Sequence, residues 1–337
     1  MASSTHKGNS SPEQTTHAGH WHMYWKGISG ANQPVRGGAT DPAFTEFWTQ
    51  FFAGELSAER PARVLDLACG DGAVTQAAVS AGQTLGTGGI TPYCLDYSRF
   101  AVLETLKQFS NTLGVSADAA QMPFISEAFD IVASQFGLEY AGPGAIREVA
   151  RTLAKSGLLV CVLHKRDGAL YKECHGELEA TRELQDSQIM ELANNHFGAF
   201  FRMISGSGSR PEFEATWRLL TPAVQQVENM IRTRGQHAAG GLIYIIYQKL
   251  AWMNEHLREN SPESIETWMK QMDEELEAYS GRMISMLNAA LSEQQLKALS
   301  DKLTREGLMV ESSGILCMAR NQEAVAWTLV CRKVQPG

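Results

Sequence analysis

The sequence predicts an α/β fold: a mostly parallel seven-stranded sheet with helices on both faces, a terminal antiparallel strand, and a large helical insert between strands five and six. Three observations carry this. Short apolar runs alternate with helical patterns from Arg63 to His164, as in successive β–α–β units. From residue 165 the pattern turns wholly helical, in segments 169–203, 211–234, 242–259, 262–291 and 292–306. Strand signals then return at 307–310 and 324–331, and Ala319-Arg320-Asn321-Gln322 between them reads as a hairpin connection. The domain boundaries that follow are a disordered tail over 1–20, a helical cover over 21–60, a ligand-binding domain over 61–164 and 307–337, and the insert over 165–306.

Taken in order, Asp41-Pro42 opens a helix, with Asp41 as cap and Pro42 in the first turn. Its apolar positions Phe44, Phe47, Trp48 and Phe51 recur at helical spacing, so it covers a sheet face or the ligand site. Val64 to Leu67 is a buried parallel strand. It runs into a tight turn containing Ala68, Gly70 and Gly72, and a helix follows from Ala73. Strand, glycine turn and helix together make a nucleotide-binding start. Asp71 stands where an N-cap carboxylate would accept backbone N–H bonds. The stretch from Gly82 to Gly89 is a glycine-rich connection, longer than usual. The second strand, Tyr93 to Leu95, ends at Asp96-Tyr97. The third ends at Asp118-Ala119, the fourth at Ser134-Gln135, and the fifth, from Gly157, at His164.

These signals fall at the carboxyl ends of successive strands, where open α/β sheets bind ligands. Asp96 is placed to accept from two ribose hydroxyls, and Asp118 to read an adenine edge. A dinucleotide dehydrogenase competes on the glycine turn alone. Its third glycine, however, would fall at Thr75, and a terminal antiparallel hairpin is not its habit.

In order and character the signals resemble the class I S-adenosylmethionine-dependent methyltransferases, whose domain is a Rossmann-like sheet. The resemblance is to the small-molecule group that includes the quinone-biosynthesis C-methyltransferases. It rests on Asp66 to Gly72, Asp96, Asp118-Ala119 before Pro123-Phe124, Arg147-Glu148-Val149-Ala150-Arg151, and Ala326 to Val330. The resemblance implies S-adenosyl-L-methionine as cofactor. Asp66, Ala68, Gly70 and Gly72 would cradle its methionine part, Asp96 with Tyr97 would hold the ribose, Asp118-Ala119 would flank adenine, and Gln135 would contact cofactor or substrate. Ala68 stands where many members have their first glycine, and Ser156-Gly157 replaces a more usual Pro-Gly-Gly.

A sulfonium donor is already activated, so alignment of the acceptor supplies much of the rate, about 7–11 kcal/mol of barrier. A base is needed only where the acceptor must lose a proton. His164 is the foremost candidate because imidazole exchanges protons near neutral pH; Tyr140 and Glu139 follow. The acceptor atom is left open among O, N, S and C. The other reading is a cofactor-binding interaction or dimerisation protein with little turnover.

Lys and Arg number 29 against 37 Asp and Glu, for a net charge of −8. That balance, without a basic tract, argues against nucleic acid as partner and leaves a small-molecule acceptor and a possible homodimer. No apolar run approaches the roughly 20 residues of a membrane span. The six scattered cysteines read as reduced and buried, hence cytoplasmic. Tyr24 and Trp25 either close over the cofactor or anchor the tail. His17, His20 and His22 read as a flexible polar tract, with no metal site anywhere. The methionines of the insert make either a plastic acceptor pocket under a lid, ordinary core, or a dimer face.

Overall fold

The structure, a computed structural model, describes Gly19, Trp21, Tyr24, Trp25, 41–86 and 89–334. His17, His20, His22, most of the 1–20 tail and part of the Gly82–Gly89 connection lie outside the described residues. The chain divides into a sheet unit, 1–173 with 285–337, and a helical unit, Cys174–Ile284.

The sheet unit holds seven strands: β1 Ala62–Leu67, β2 Ile90–Asp96, β3 Leu113–Ser116, β4 Phe129–Gln135, β5 Leu153–His164, β6 Leu308–Cys317 and β7 Ala324–Lys333. Their spatial order is β3-β2-β1-β4-β5-β7-β6. The first five run parallel, and β7 runs antiparallel to both β5 and β6. β5 pairs with β4 on one edge and β7 on the other, and is buried from Leu158 to His164. A strand covered on both faces and both edges has to be apolar without interruption, which is why Leu158 to Leu163 shows no alternation.

Helices α1 Pro42–Glu55, α2 Ala73–Thr84, α3 Arg99–Gln108 and α4 Gly142–Thr152 flank the sheet. Asp41 caps α1 as expected, its Oδ1 accepting from Ala43 N at 3.0 Å. Phe44, Trp48 and Phe52 pack on one sheet face with Val64, Ile131 and Val160. The opposite face is closed by Ile146 and Val149 of α4, and by Leu296 and Leu303 of the last helix, α10 Glu293–Arg305. That packing accounts for the narrower insert. Residues 292–306 pattern as helix and so read as part of it, yet their apolar face is core of the sheet unit. Ser292 and Gln295 close a reciprocal capping box there.

The helical unit contains α6 Ile189–Ile204, α7 Arg210–Arg234 and α8 Leu242–Glu255, with most of α5 Ala169–Asp186 and α9 Pro262–Ala289. The single pattern expected over 169–203 breaks into α5 and α6 at Gln188, whose φ of 55° is left-handed. Within this unit the Glu177 carboxylate accepts from the Tyr279 hydroxyl at 2.8 Å and from Gly240 N at 3.1 Å. Met230, Met253, Met269, Met272 and Met283 are buried. No described helix is long and apolar enough to cross a membrane.

Candidate active site

The strand order brings the carboxyl ends of β3, β2, β1, β4 and β5 side by side, carrying Asp118, Asp96, the glycine turn, Gln135 and His164 in a row. Strands are spaced about 4.8 Å apart, so four intervals make an edge of roughly 19 Å. β1 and β4 are neighbours although β2 and β3 intervene in sequence. Connections therefore depart in opposite directions there and open the crevice in which such sheets bind ligands.

The turn after β1 is built from left-handed residues: Ala68 at φ 60°, Gly70 at 54° and Gly72 at 86°. Gly72 is itself the N-cap of α2 and supplies no side chain, which corrects the assignment of that position to Asp71. The first turn of α2 is secured from below instead. Asp66 Oδ2 accepts from Thr75 N at 2.9 Å and from the Thr75 hydroxyl at 2.7 Å. Burial raises the Asp66 carboxyl to about 7, although both Thr75 bonds act against the rise.

Asp96 holds the other side of the turn. One carboxylate oxygen accepts from Gly70 N at 3.1 Å, and the second from Ser98 N at 2.8 Å. Burial raises the Asp96 carboxyl and these two bonds lower it, with a net rise. Tyr97 beside it is 59% exposed. Asp118 is exposed and turns its carboxylate onto Ala120 N at 2.8 Å, leaving Ala119 half-buried beside the edge. Gln135 is engaged by the N-terminal cover: its Oε1 accepts from Trp48 Nε1 at 2.6 Å. Nothing local in the sequence connects these two residues, which lie 87 positions apart.

Past β4 the backbone is held in an unusual conformation. Phe136 has φ 55°, and a Cβ on Gly137 would stand 2.4 Å from the Cβ of Ala68. This close approach swings the short 3-10 turn Leu138–Tyr140 against the end of β5. There the Glu139 carboxylate, fully buried, accepts through Oε1 from His164 N and meets His164 Nδ1, both at 2.8 Å. His164 is 4% exposed. Its Nε2 and the Glu139 Oε2 have no hydrogen-bond partner among the described residues. Phe136 lies 4.2 Å from the His164 ring between centroids, and Tyr140 meets it edge-on at 5.7 Å.

An aromatic path joins the two ends of the site. Trp25 covers Gly70, with ring atoms 2.9 and 3.1 Å from where a Cβ would stand. Tyr24 packs edge-on to both Trp25 and Trp21, and Trp21 meets Tyr140 at 5.9 Å. Of the two tail residues singled out in the sequence, Trp25 thus lies against the glycine turn, and Tyr24 links it to Trp21 beside Tyr140.

Residues 65–161 match the family model described as a methyltransferase domain. No curated protein matches the chain in sequence. Among solved structures the chain is similar to one from the complex between the Haloferax volcanii Trm112 methyltransferase activator and a methyltransferase. The identity there is 11%, over 97% of this chain and 100% of that one, with a TM-score of 0.43. It is similar also to a SAM-dependent methyltransferase from Methanosarcina mazei, at 11% identity over 82% and 94% of the two chains with a TM-score of 0.39. A third, a SAM-dependent methyltransferase from Aquifex aeolicus, is 15% identical over 43% and 73%, with a TM-score of 0.33. The domain formed around the glycine turn is that of a class I S-adenosylmethionine-dependent methyltransferase. S-adenosylmethionine is its cofactor and methyl donor.

The residues present fit that group. Gly70 offers bare backbone where any side chain would collide with Trp25. A carboxylate has about four acceptor positions, and Asp96 spends two on backbone N–H groups. The remaining two suit a pair of vicinal hydroxyls.

Proposed function

We propose that this methyltransferase acts on a small-molecule acceptor, with His164 as the base where the acceptor must be deprotonated and Tyr140 as its neighbour in the acceptor wall. The observation carrying this reading is the single row of chemistry along the sheet edge. Asp118 and Ala119 take the adenine end, Asp96 and Tyr97 the ribose, and the Ala68–Gly72 turn above Asp66 the methionine part. Gln135 lies between donor and acceptor, and His164 stands beyond it. The net charge of −8 supports a small acceptor over nucleic acid. The aromatic path from Trp25 to His164 supports a site from which water is excluded, the condition under which proximity and orientation are most effective.

Calorimetry with S-adenosylmethionine, followed by methyl transfer from labelled donor to a panel of hydroxyl, amine, thiol and activated-carbon acceptors, tests the reading. Donor binding lost on Asp96→Ala, with transfer to a small acceptor, is the expected result. Donor binding without transfer to any small acceptor, alongside transfer to nucleic acid or protein, would overturn it.

A further inference from the structure

Why is a histidine held at the end of β5 by a fully buried carboxylate, with its second nitrogen left idle? A carboxylate can only accept hydrogen bonds, so the contact of Glu139 Oε1 with Nδ1 requires the His164 proton on that nitrogen. The same oxygen also accepts from His164 N, which holds the carboxylate at the strand end. Nε2 is then a lone pair, buried and without a partner among the described residues. Buried polar atoms of that kind are rare in folded proteins, and an orphan acceptor costs on the order of 1–3 kcal/mol. It is retained where a transient partner uses it.

The surroundings narrow that partner. The titratable groups facing His164 are Glu139 and Tyr140, from the 3-10 turn after β4. β7 brings Ala326 alongside, Phe136 brings an aromatic ring, and Leu291 donates its backbone N–H to the His164 carbonyl. Next in the chain, Lys165 turns its ammonium over the Trp327 ring at 4.7 Å and onto the Arg166 carbonyl. The local charge is thus the Glu139 carboxylate, which repels a phosphate or carboxylate acceptor. An amine that arrived as a cation would be drawn instead to Glu139 and would pair with it.

We propose that Glu139 is a positioning residue that locks His164 in its Nδ1-protonated tautomer, so that Nε2 takes the proton of a neutral hydroxyl acceptor. This rests on the methyl-transfer reading above. Nε2 accepts the hydroxyl proton while the acceptor oxygen's electron pair forms the new bond to the donor methyl carbon. The carbon–sulfur bond breaks with its pair kept by sulfur. The imidazolium, balanced by Glu139, then passes its proton to water.

Nitrogen-15 NMR of the histidines, with His164→Gln identifying the His164 signals, tests the positioning role without turnover. The expected spectrum has His164 protonated on Nδ1 in the wild type. In Glu139→Gln it shifts toward Nε2-protonated imidazole, with the melting temperature recorded to show that both variants fold. A wild-type ring protonated on Nε2, or a tautomer unmoved in Glu139→Gln, would overturn it. The acceptor class is read by methyl transfer from labelled S-adenosylmethionine to 2-naphthol and to 2-naphthylamine. Transfer to the naphthol by the wild type is expected; transfer to the amine without transfer to the naphthol overturns the hydroxyl assignment. With the donor, rates of methylation should fall on the order of 10²–10⁴-fold in His164→Gln. Calorimetry with S-adenosylmethionine separates the two readings. Donor binding with an unmoved tautomer sinks this inference alone, and failure to bind donor sinks the methyl-transfer reading beneath it.

Discussion

Replacing Gly137 with alanine tests how the glycine turn and the His164 end of the candidate site are joined. The new methyl would stand 2.4 Å from the Cβ of Ala68, 2.9 Å from Ser134 Oγ and 3.2 Å from the Leu67 carbonyl. Carbon atoms in contact prefer about 3.5–4.0 Å, so something must yield by more than an ångström. Ala68 cannot rotate away, because its Cβ is fixed to a left-handed backbone at φ 60°. Overpacking of this kind costs about 1–3 kcal/mol. Displacing Ser134 Oγ would also break its bond from Leu138 N, worth about 1 kcal/mol. The expected total is about 2–4 kcal/mol, or roughly 5–15 °C in the melt of a unit of this size. Ala68→Gly alone should be nearly neutral. It relieves a left-handed alanine, worth about 1–2 kcal/mol, and gives back up to about 1 kcal/mol in unfolded-chain entropy. Combined with Gly137→Ala it should recover about half the loss, since the Ser134 contact persists. That coupling would be measured by thermal and urea melts of the four-member cycle. A Gly137→Ala protein within about 0.5 kcal/mol of wild type would refute the packing argument, as would an Ala68→Gly change that leaves the Gly137→Ala penalty intact.

Asp96→Ala removes the acceptor of two backbone N–H groups as well as the proposed ribose contact. Calorimetry should therefore find donor binding abolished and melting lowered; binding within twofold of wild type would exclude Asp96 from the site. Asp66 gives a pH signature whose sign follows from its raised carboxyl. The folded chain holds that proton up to about pH 7 while the unfolded chain releases it near 3.8. The contribution is complete below 3.8 and is lost as pH rises through about 7, at about 1.4 kcal/mol per pH unit. Asp66→Asn should flatten the decline in melting temperature between about pH 4 and 7, and an unchanged slope would place its origin elsewhere. Asp130 has the opposite sign. Burial raises its carboxyl, but the Arg63 hydrogen bonds and charge, with Arg60, bring it below its ordinary value. Its support is present above the ordinary carboxylate range and fades as pH falls through the lowered value. Arg63→Met should therefore move the acid-unfolding midpoint upward, and a midpoint that stayed in place would remove the pair from the account.

The parts of the site that could be read from the sequence are those whose chemistry lies within one β–α unit. The glycine turn, Asp96 and Asp118 each follow a strand run, so periodicity alone locates them on the carboxyl edge of the sheet. Asp71 misled for a local reason. It has the residue type of a cap, but the left-handed turn carries the chain one residue further, to Gly72, and the capping carboxylate comes from inside β1. Trp48 reaches Gln135 across 87 positions, and no local pattern encodes such a pairing. The same holds for the insert boundary. The helical pattern of 293–305 is clear in the sequence, but which unit it packs on depends on where Leu296 and Leu303 find apolar partners.

Glu139 is the instructive case, because the sequence offers it only as a carboxylate near a strand end. What gives it a role is the backbone around it. Ser134 Oγ accepts from Leu138 N, Phe136 is left-handed, and Gly137 passes against Ala68. Together these fold the 3-10 turn back so that the carboxylate reaches both the N–H and the ring of His164. The strain at Ala68 and Phe136 costs on the order of 1–3 kcal/mol per residue, and it falls on the two segments that connect the glycine turn to His164. Glycine would relieve the backbone at both positions, at the expense of the Phe136 ring packed against Phe44. That they remain alanine and phenylalanine fits a site in which the Ala68 Cβ and the Phe136 ring are themselves walls. The Gly137 cycle therefore reports on more than packing. If its destabilised member also weakens donor binding and shifts the His164 tautomer, the two halves of the site are set by one backbone contact.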